Sequence, residues 1–409
     1  MSMSCERCLL SDAVPGVEVG TEGVCSVCRQ HDETWGNWEE RKGERLSALQ
    51  RMFEDCRRKK RPYDVLVPLS GGKDSTYVLY LCRRQFGLNC LAVTWDNGFL
   101  TTHARENIER ATSALGVDHI YYRVNEALLM RLYRHFFVKT GMFCPVCMRG
   151  IGVTTEMAAR AFNVPLVVNG TSRRTEEHIA PEFFQSGELS FFRAVLTGDP
   201  LERAGKPLMY SRDWKRAVAY HIFWWTHIER VFHSAAICLP DYVDWYYDEI
   251  FRTITGELGW SAPHPDAEHA DCKVDGIVAY MRQKKFPALP PGLLRYSKLV
   301  TAGQMTREEA LGTVSELGCE LTEPKNLAWF LNTLGISRAE FDQVLSDPLR
   351  HMQYRREPGR VWRFCRATKR VFLNPLLGVC GGVRRRAPAK PLPRSARPAE
   401  PTQRGWEGK

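Results

Sequence analysis

The stretch of sequence that decides the fold is Asp64-Val-Leu-Val-Pro-Leu-Ser-Gly-Gly-Lys-Asp-Ser75. Its apolar, β-branched first half predicts a buried strand over 64–69, and residues 76–84 follow with helical spacing. Glycines let backbone amides approach phosphate oxygens, and a helix N-terminus supplies free N–H donors and a partial positive charge. The segment therefore predicts a strand, a phosphate-binding turn and a helix.

The same strand and helix alternation continues along the chain. Further strands are predicted at 90–94, 119–124 and 165–168, and helices at 101–115, 126–139 and 149–162, with a break at 143–147. Parallel neighbours need crossover connections, so this order predicts an α/β fold with a parallel sheet and helices on both faces. Such sheets bind ligands beyond the carboxyl ends of their strands.

The turn itself carries side chains suited to a nucleotide. Lys73 adds a full positive charge, Ser70 and Ser75 carry hydroxyl donors, and Asp74 can hold Mg²⁺. The spacing excludes the Gly-x4-Gly-Lys-Ser/Thr loop of nucleotide hydrolases that release the γ-phosphate. The segment Ser-Gly-Gly-Lys-Asp-Ser instead resembles the PP-loop of ATP pyrophosphatases, in which every family position is matched.

This resemblance implies an adenine nucleotide alpha hydrolase-like fold, with ATP and Mg²⁺ as cofactors. The β and γ phosphates of ATP would be held as one unit while a substrate oxygen attacks the α-phosphorus, which leaves an adenylate and pyrophosphate. We expect Lys73, Asp74 and Ser75 to take part in catalysis. The residues expected to bind the nucleotide are Ser70, Gly71, Gly72, Lys73, Asp74, Ser75, Asp96, Gly170 and Thr171.

The last three of these come from two later segments that fit the same family plan. Asp96-Asn97-Gly98 follows the second predicted strand, where the base or ribose would rest. Asn169-Gly170-Thr171-Ser172 follows the fourth and would line the opposite side of the cleft. Each segment is also a common turn sequence.

Four N-terminal cysteines have the spacing of a metal site. Cys5 and Cys8 form one Cys-x2-Cys pair, and Cys25 and Cys28 form a second pair after sixteen intervening residues. This is the spacing of a zinc ribbon with four thiolate ligands. A segment of this size buries too little apolar surface to fold alone, so Zn²⁺ would stabilise it. Its role would be structural, because four thiolates leave no open coordination position.

A second cysteine set lies nearer the predicted ligand edge. Cys144 and Cys147 form a third Cys-x2-Cys pair, and Cys272 is a better third ligand than Cys238, which lies in an apolar run. Among PP-loop enzymes that thiolate transfer RNA, such a set holds an iron–sulfur cluster. The same three ligands suit a second Zn²⁺ with one open position. Core thiols without a metal are the other interpretation.

The order of these features resembles the N-acetyl sugar amidotransferases of surface-polysaccharide biosynthesis. The resemblance covers roughly residues 3–320 and fails over 173–232 and in the basic tail. It rests on the N-terminal pairs, the phosphate loop and five later segments, namely Phe143-Cys-Pro-Val-Cys-Met148, Tyr242-Val-Asp-Trp245, Glu257-Leu-Gly-Trp260, Asp271-Cys272 and Gly303-Gln-Met-Thr-Arg-Glu-Glu-Ala310.

Membership would imply ATP-driven conversion of an acetamido group into an acetamidino group, with ammonia as the nucleophile. The substrate would be a nucleotide-linked acetamido sugar. Position two is Ser2 and not a cysteine nucleophile, and we expect no glutaminase domain in the remaining length, so a separate glutaminase is expected to supply the ammonia, as the resemblance also implies. Two alternatives stay open: a sulfurtransferase that thiolates transfer RNA through a cysteine-bound iron–sulfur cluster, and a zinc-bearing ATP-binding module without catalysis.

Composition and charge set limits on these alternatives. The chain has 409 residues and a net charge of +10, but residues 384–409 carry eight Lys or Arg against two acids, a net +6. The excess is concentrated in a Pro-rich tail predicted to be disordered, which makes nucleic acid a less favoured partner. The 44% hydrophobic content includes no run long enough to span a membrane, and no secretory signal begins the chain. We therefore expect a cytoplasmic protein with reduced thiols.

Five regions are predicted. They are a four-cysteine zinc ribbon at 1–30, a linker helix at 31–60, a PP-loop domain at 61–275, a helical C-terminal region at 276–350 and a basic, Pro-rich tail at 351–409.

Overall fold

A parallel sheet lies at the centre of the protein in the computed structural model, which describes residues 2–175, 188–209, 235–262, 271–318 and 320–355. Its five strands are β1 (Val65–Pro68), β2 (Cys90–Trp95), β3 (Asp118–Tyr122), β4 (Leu166–Asn169) and β5 (Ala235–Cys238). They lie in the spatial order β3-β2-β1-β4-β5, and each neighbouring pair is parallel. The strand order reverses at the central strand β1, which is where such sheets form their ligand crevice.

The described helices connect and cover this sheet. They are α1 (Ser26–Trp35), α2 (Trp38–Arg58), α3 (Lys73–Tyr80), α4 (Thr102–Leu115), α5 (Glu126–Thr140), α6 (Cys144–Ala161), α7 (Leu189–Leu196), α8 (Leu201–Ala204), α9 (Tyr247–Leu258), α10 (Asp275–Lys285), α11 (Leu293–Thr301), α12 (Arg307–Leu317), α13 (Leu327–Leu334) and α14 (Arg338–Leu345). A π-helical turn, Leu81–Gln85, extends α3.

Alternate strand residues pack into two different cores, one on each face of the sheet. Val65 and Val67 of β1 contact the apolar faces of α3, α4 and α9. Leu66 of the same strand packs on the other face with Ala158 and Ala159 of α6. Strands buried on both faces explain the continuous apolar runs in the sequence. The predicted α/β class, with helices on both faces of a parallel sheet, is confirmed.

The N-terminal cysteine segment and the C-terminal helices share a third core. Leu10 and Val14 pack with Leu293 and Tyr296 of α11 and with Val314 of α12. Helix α12 begins with the predicted capping box, in which Thr306 and Glu309 each satisfy a backbone N–H of the other. The ribbon is therefore held to the small C-terminal helical region.

Several element boundaries differ from the sequence predictions. Helix α3 begins at Lys73 and not at Thr76, so Lys73 and Asp74 lie on its first turn. Helix α6 begins at Cys144, where a break had been predicted; Pro145 is accepted there because the first turn of a helix needs no N–H donor. Helix α9, Tyr247–Leu258, begins two residues after the segment Tyr242-Val-Asp-Trp245. The strand β5 was not predicted.

The domain boundaries remain a prediction. The described residues belong to one compact unit, Met1–Glu357, in which α1 and α2 cover most of the predicted linker. Most of the predicted disordered tail, and most of the stretch 173–232 where the family resemblance fails, lie outside the described residues. Among the described helices, none combines the length and apolar character needed to cross a membrane.

Two glycines of α6, Gly150 and Gly152, provide a test of how this helix packs on β2. A Cβ atom at Gly150 would lie 2.1 Å from the ring of Trp95, whereas at Gly152 it would meet nothing within 4 Å. We predict that Gly150→Ala lowers the free energy of unfolding by about 1–3 kcal/mol through overpacking. Gly152→Ala should raise it by up to about 1 kcal/mol, because alanine favours helix. Urea denaturation measures both, and equal effects would contradict this packing.

Candidate functional site

The phosphate loop connects β1 to α3 and is stabilised by its own serines. The backbone N–H of Ser70 donates to Ser75 Oγ at 3.2 Å, and the two hydroxyl oxygens lie 3.2 Å apart. The Gly72 N–H donates to Ser70 Oγ at 3.3 Å, while the Ser75 hydroxyl donates to the Gly72 carbonyl at 3.2 Å. Both hydroxyls therefore fix the turn at the helix N-terminus.

Gly71 is the residue of this turn that no other amino acid can replace without strain. Its φ of +82° lies in the left-handed region, and a Cβ atom there would lie 2.3 Å from the Ala104 carbonyl oxygen. Its own carbonyl accepts the Trp260 indole N–H at 2.9 Å and an Asn107 amide N–H at 3.3 Å. The sequence analysis assigned no role to Asn107 or Trp260, although the segment ending at Trp260 was noted.

Lys73 and Asp74 form the charged part of the site. Lys73 Nζ lies 2.5 Å from Asp74 Oδ2, and the Trp245 indole N–H donates to Oδ1 at 3.1 Å. Both oxygens of the carboxylate are therefore engaged. Lys73 Nζ also lies 5.8 Å from the ring centroid of Tyr247. Trp245 is buried. It was not predicted as a site residue, because the sequence showed a family resemblance in the segment that contains it but indicated no role for its side chain.

The other predicted nucleotide-binding residues lie at the same edge of the sheet. Gly170, after β4, approaches α3 so closely that a Cβ atom would lie 3.0 Å from the Asp74 carbonyl. Thr171 is exposed beside it. Asp96, after β2, is fully buried and accepts hydrogen bonds from the Gly98 N–H at 3.0 Å and from Arg105 at 3.4 Å. The Asp96 carboxylate thus already has a cationic neighbour.

Asp271 and Cys272 connect the phosphate loop to the second cysteine set. A Cβ atom on Gly72 would lie 3.4 Å from Asp271 Cγ, and the Asp271 carbonyl accepts the Thr101 N–H at 3.0 Å. Cys272 follows directly and forms a bridge to Leu100 after β2. Asp271, beside the phosphate loop, and Cys272, a member of the second cysteine set, are therefore consecutive residues.

Cys144, Cys147 and Cys272 lie together around Tyr133 and pack against one apolar core. Burial raises the pKa of Cys144 to about 12, that of Cys147 to about 11 and that of Cys272 well above its usual value, and nearby cysteine or aspartate side chains raise each pKa further. The Asn97 amide donates to Cys147 Sγ at 3.6 Å. Among the described residues, the three sulfurs are not all within 4.8 Å of one another, which is wider than one tetrahedral ion requires.

The four N-terminal cysteines fit a single metal ion. All are fully buried, and their sulfurs lie within 4.8 Å of one another. Cys5 and Cys28 sulfurs are 4.0 Å apart and Cys8 and Cys25 sulfurs 3.6 Å apart. A tetrahedron with Zn–S bonds of about 2.3 Å has sulfur separations of about 3.8 Å. This spacing suits one tetrahedral ion.

The electrostatics of these sulfurs favour a single thiolate in the absence of a cation. The thiols of Cys28 and Cys8 donate to Cys25, which lowers the pKa of Cys25, while the pKa values of Cys8 and Cys28 are raised. Backbone N–H groups of Cys8 and Cys25 point at Cys5 Sγ at 3.5 and 3.3 Å. Further thiolates would repel the first one unless a metal neutralised them.

Comparison with known proteins finds a partial family match and similar solved structures. Residues 279–369 match a family described as "LPS biosynthesis protein WbpG-like, C-terminal domain". No curated protein matches the sequence. Among solved structures, the "U34-tRNA thiolase NcsA from Methanococcus maripaludis with its [4Fe-4S] cluster" aligns over 85% of this chain and 98% of its own, with 13% identity and a TM-score of 0.32. That score is low, so the description of the fold rests on the parallel sheet and on the loop between β1 and α3.

Removal of one N-terminal ligand tests the metal site. We predict that Cys5→Ser lowers bound zinc to below one equivalent and lowers the thermal unfolding midpoint, because the ribbon core loses its ion. Cys56→Ser, at a buried cysteine away from the cluster, should keep its zinc even if it is less stable. Metal analysis of both purified variants decides the matter. A stable, zinc-replete Cys5→Ser protein would contradict the assignment.

The indole of Trp245 provides a second test. Trp245→Phe keeps the ring that packs on Tyr77 but removes the donor to Asp74. Because a hydrogen bond to a charged group contributes about 1.5–3 kcal/mol, we predict about a tenfold or greater loss of Mg²⁺-dependent ATP affinity. Trp329→Phe, at an exposed tryptophan, is the control. Equal affinities in a calorimetric titration would show that Trp245 does not position Asp74.

Proposed function

We propose that the protein is an ATP-dependent amidotransferase that adenylates an acetamido sugar and replaces its amide oxygen with nitrogen from ammonia. The observation that carries this proposal is the position of Lys73 and Asp74. Both lie on the first turn of α3, beyond the carboxyl end of the central strand, where helix N–H groups and a lysine favour bound phosphates. The loop sequence supports release of pyrophosphate and AMP.

The loop residues divide the work of holding ATP. Lys73, the serine hydroxyls and the helix N-terminus would hold the two terminal phosphates. Asp74, oriented by Trp245, would hold Mg²⁺, which neutralises charge on the leaving pyrophosphate. Lys73 would leave the Asp74 carboxylate and turn to the phosphates when the nucleotide binds. The α-phosphorus would then remain open to the acceptor.

The reaction balances in two steps. The acetamide oxygen of the sugar attacks the α-phosphorus, and the bond to pyrophosphate breaks. Ammonia then attacks the activated amide carbon, AMP leaves with the former amide oxygen, and loss of a proton gives the acetamidino group. The similarity of residues 279–369 to an LPS biosynthesis domain supports a surface-polysaccharide sugar as acceptor. A separate glutaminase would supply the ammonia.

Zn²⁺ is the proposed ion of the N-terminal site, because four thiolates at tetrahedral spacing suit it. The wider set of Cys144, Cys147 and Cys272 would hold an iron–sulfur cluster, or a second Zn²⁺ with an open position once its sulfurs move closer together. That set also favours a second candidate function, sulfur transfer to transfer RNA. Its support is that Cys272 adjoins Asp271, which contacts the phosphate loop.

Substitution of the loop lysine tests the proposal. The full chain is incubated with ATP, Mg²⁺, ammonium and a panel of nucleotide-linked acetamido sugars, and pyrophosphate and product mass are measured. We predict sugar-dependent pyrophosphate release that falls at least about a hundredfold in Lys73→Ala, because removal of one preorganised charged donor typically costs that much. The control is Lys325→Ala, which removes an exposed lysine in a loop.

The same assay separates the alternatives. Bulk transfer RNA with a sulfur donor replaces the sugar and ammonium in a parallel reaction. Thiolated RNA would replace the amidotransferase proposal with the sulfurtransferase. ATP binding without pyrophosphate under any condition would indicate a non-catalytic module.

A further inference from the structure

Two arginines stack on one buried tryptophan away from the phosphate loop. The guanidinium carbon of Arg174 lies 4.3 Å from the ring centroid of Trp38, and that of Arg45 lies 5.3 Å from the same ring. Arg45 also lies 5.2 Å from the ring of Trp35. Arg174 is buried, with a relative exposure of 4%. The aromatic rings therefore fix two cations in a defined orientation.

The neighbouring carboxylates have ion-pair partners of their own, although both oxygens of Asp241 and Oδ1 of Asp244 are buried without a hydrogen bond. Asp241 forms an ion pair with Arg173, and Asp244 forms one with Lys42. Arg45 donates only to the backbone carbonyl of Asp241, at 3.3 Å. Within the described ranges, neither Arg45 nor Arg174 has a carboxylate in ion-pair contact.

Several donors of this cluster lack an acceptor. Nε and Nη2 of Arg174, Nε of Arg45 and Nε1 of Trp38 are buried without a hydrogen-bond partner. Burial lowers the pKa of both arginines, while Tyr246, Asp244 and Glu39 raise the pKa of Arg174 and the charge of Arg45 lowers it. A buried charge without a partner costs several kcal/mol, so a site with this many free donors is suited to an anion. Two fixed guanidinium groups match a doubly charged phosphate or diphosphate.

The cluster lies at the ligand edge of the sheet. Arg174 follows Gly170, which contacts Asp74, by four residues, and four residues span at most about 14 Å. Asp244 directly precedes Trp245, the donor to Asp74. A molecule about as long as a nucleotide could therefore contact both the arginines and the phosphate loop.

We propose that Arg45 and Arg174 bind the diphosphate of a nucleotide-linked acetamido sugar, while the sugar reaches the phosphate loop. The identity of the acceptor rests on the proposed function, but the anion site rests on the arginines alone. Arg45 and Arg174 are then residues that select a diphosphate-bearing acceptor over a free sugar.

Calorimetric titration of the full chain tests this assignment. The phosphate loop is first saturated with Mg²⁺ and the α,β-methylene analogue of ATP, and UDP-N-acetylglucosamine is then added. We expect Arg174→Gln and the more exposed Arg45→Gln each to weaken its binding at least about tenfold, as expected for loss of a charge-assisted contact. Arg203→Gln, at an exposed arginine, should bind it like the unmodified protein. The affinity for the ATP analogue should change less than about twofold.

Separate titrations with UDP, inorganic pyrophosphate and N-acetylglucosamine identify the recognised group. Binding of UDP but not of the free sugar supports the diphosphate site, whereas binding of pyrophosphate as tight as that of UDP-N-acetylglucosamine would indicate a site for free anions and overturn the acceptor assignment. No binding of any phosphate compound, unchanged binding in both variants, or parallel loss of ATP-analogue affinity would also overturn it. Because no turnover is measured, the result is independent of whether pyrophosphate is ever released.

Discussion

The left-handed backbone at Gly71 is the constraint on which the site depends. The carbonyl of Ala104 leaves no room for a side chain there, and Trp260 and Asn107 hold the Gly71 carbonyl from two other elements. Strand β1, helix α4 and the segment after α9 therefore all meet at this one turn. Because the turn is fixed, Lys73 and Asp74 emerge on the first turn of α3 and face the crevice at the centre of the sheet.

A series of contacts connects the N-terminal cysteine segment to the phosphate loop. Cys28 of the metal site lies 3.5 Å from the Thr301 hydroxyl at the end of α11, and Gln304, three residues later, donates to the Trp245 carbonyl at 2.9 Å. Trp245 in turn donates to Asp74. The N-terminal cysteine segment, the C-terminal helices and the phosphate loop are therefore connected by a short series of contacts.

The sequence predicted the elements whose signals are local and missed those that depend on tertiary contacts. Ser70–Ser75 and the four N-terminal cysteines were found because turn chemistry and ligand spacing are short-range properties. Three site residues were missed, namely Trp245, Trp260 and Asn107. They are distant in sequence from the phosphate loop and contact it through hydrogen bonds that leave no pattern in the sequence. The helix start at Cys144 was also missed, because a Cys-Pro-Val-Cys segment reads as a break unless Pro145 is placed on a first helical turn.

An isotope label on the acceptor oxygen distinguishes attack at the α-phosphorus of ATP from attack at the γ-phosphorus. An acceptor sugar labelled with ¹⁸O in its acetamido group is incubated with the protein, ATP, Mg²⁺ and ammonium, and the nucleotide product is analysed by mass spectrometry. The account predicts AMP that carries the ¹⁸O label, since the substrate oxygen attacks the α-phosphorus while the loop holds the terminal phosphates. Unlabelled ADP with labelled orthophosphate would contradict it, because attack would then occur at the γ-phosphorus.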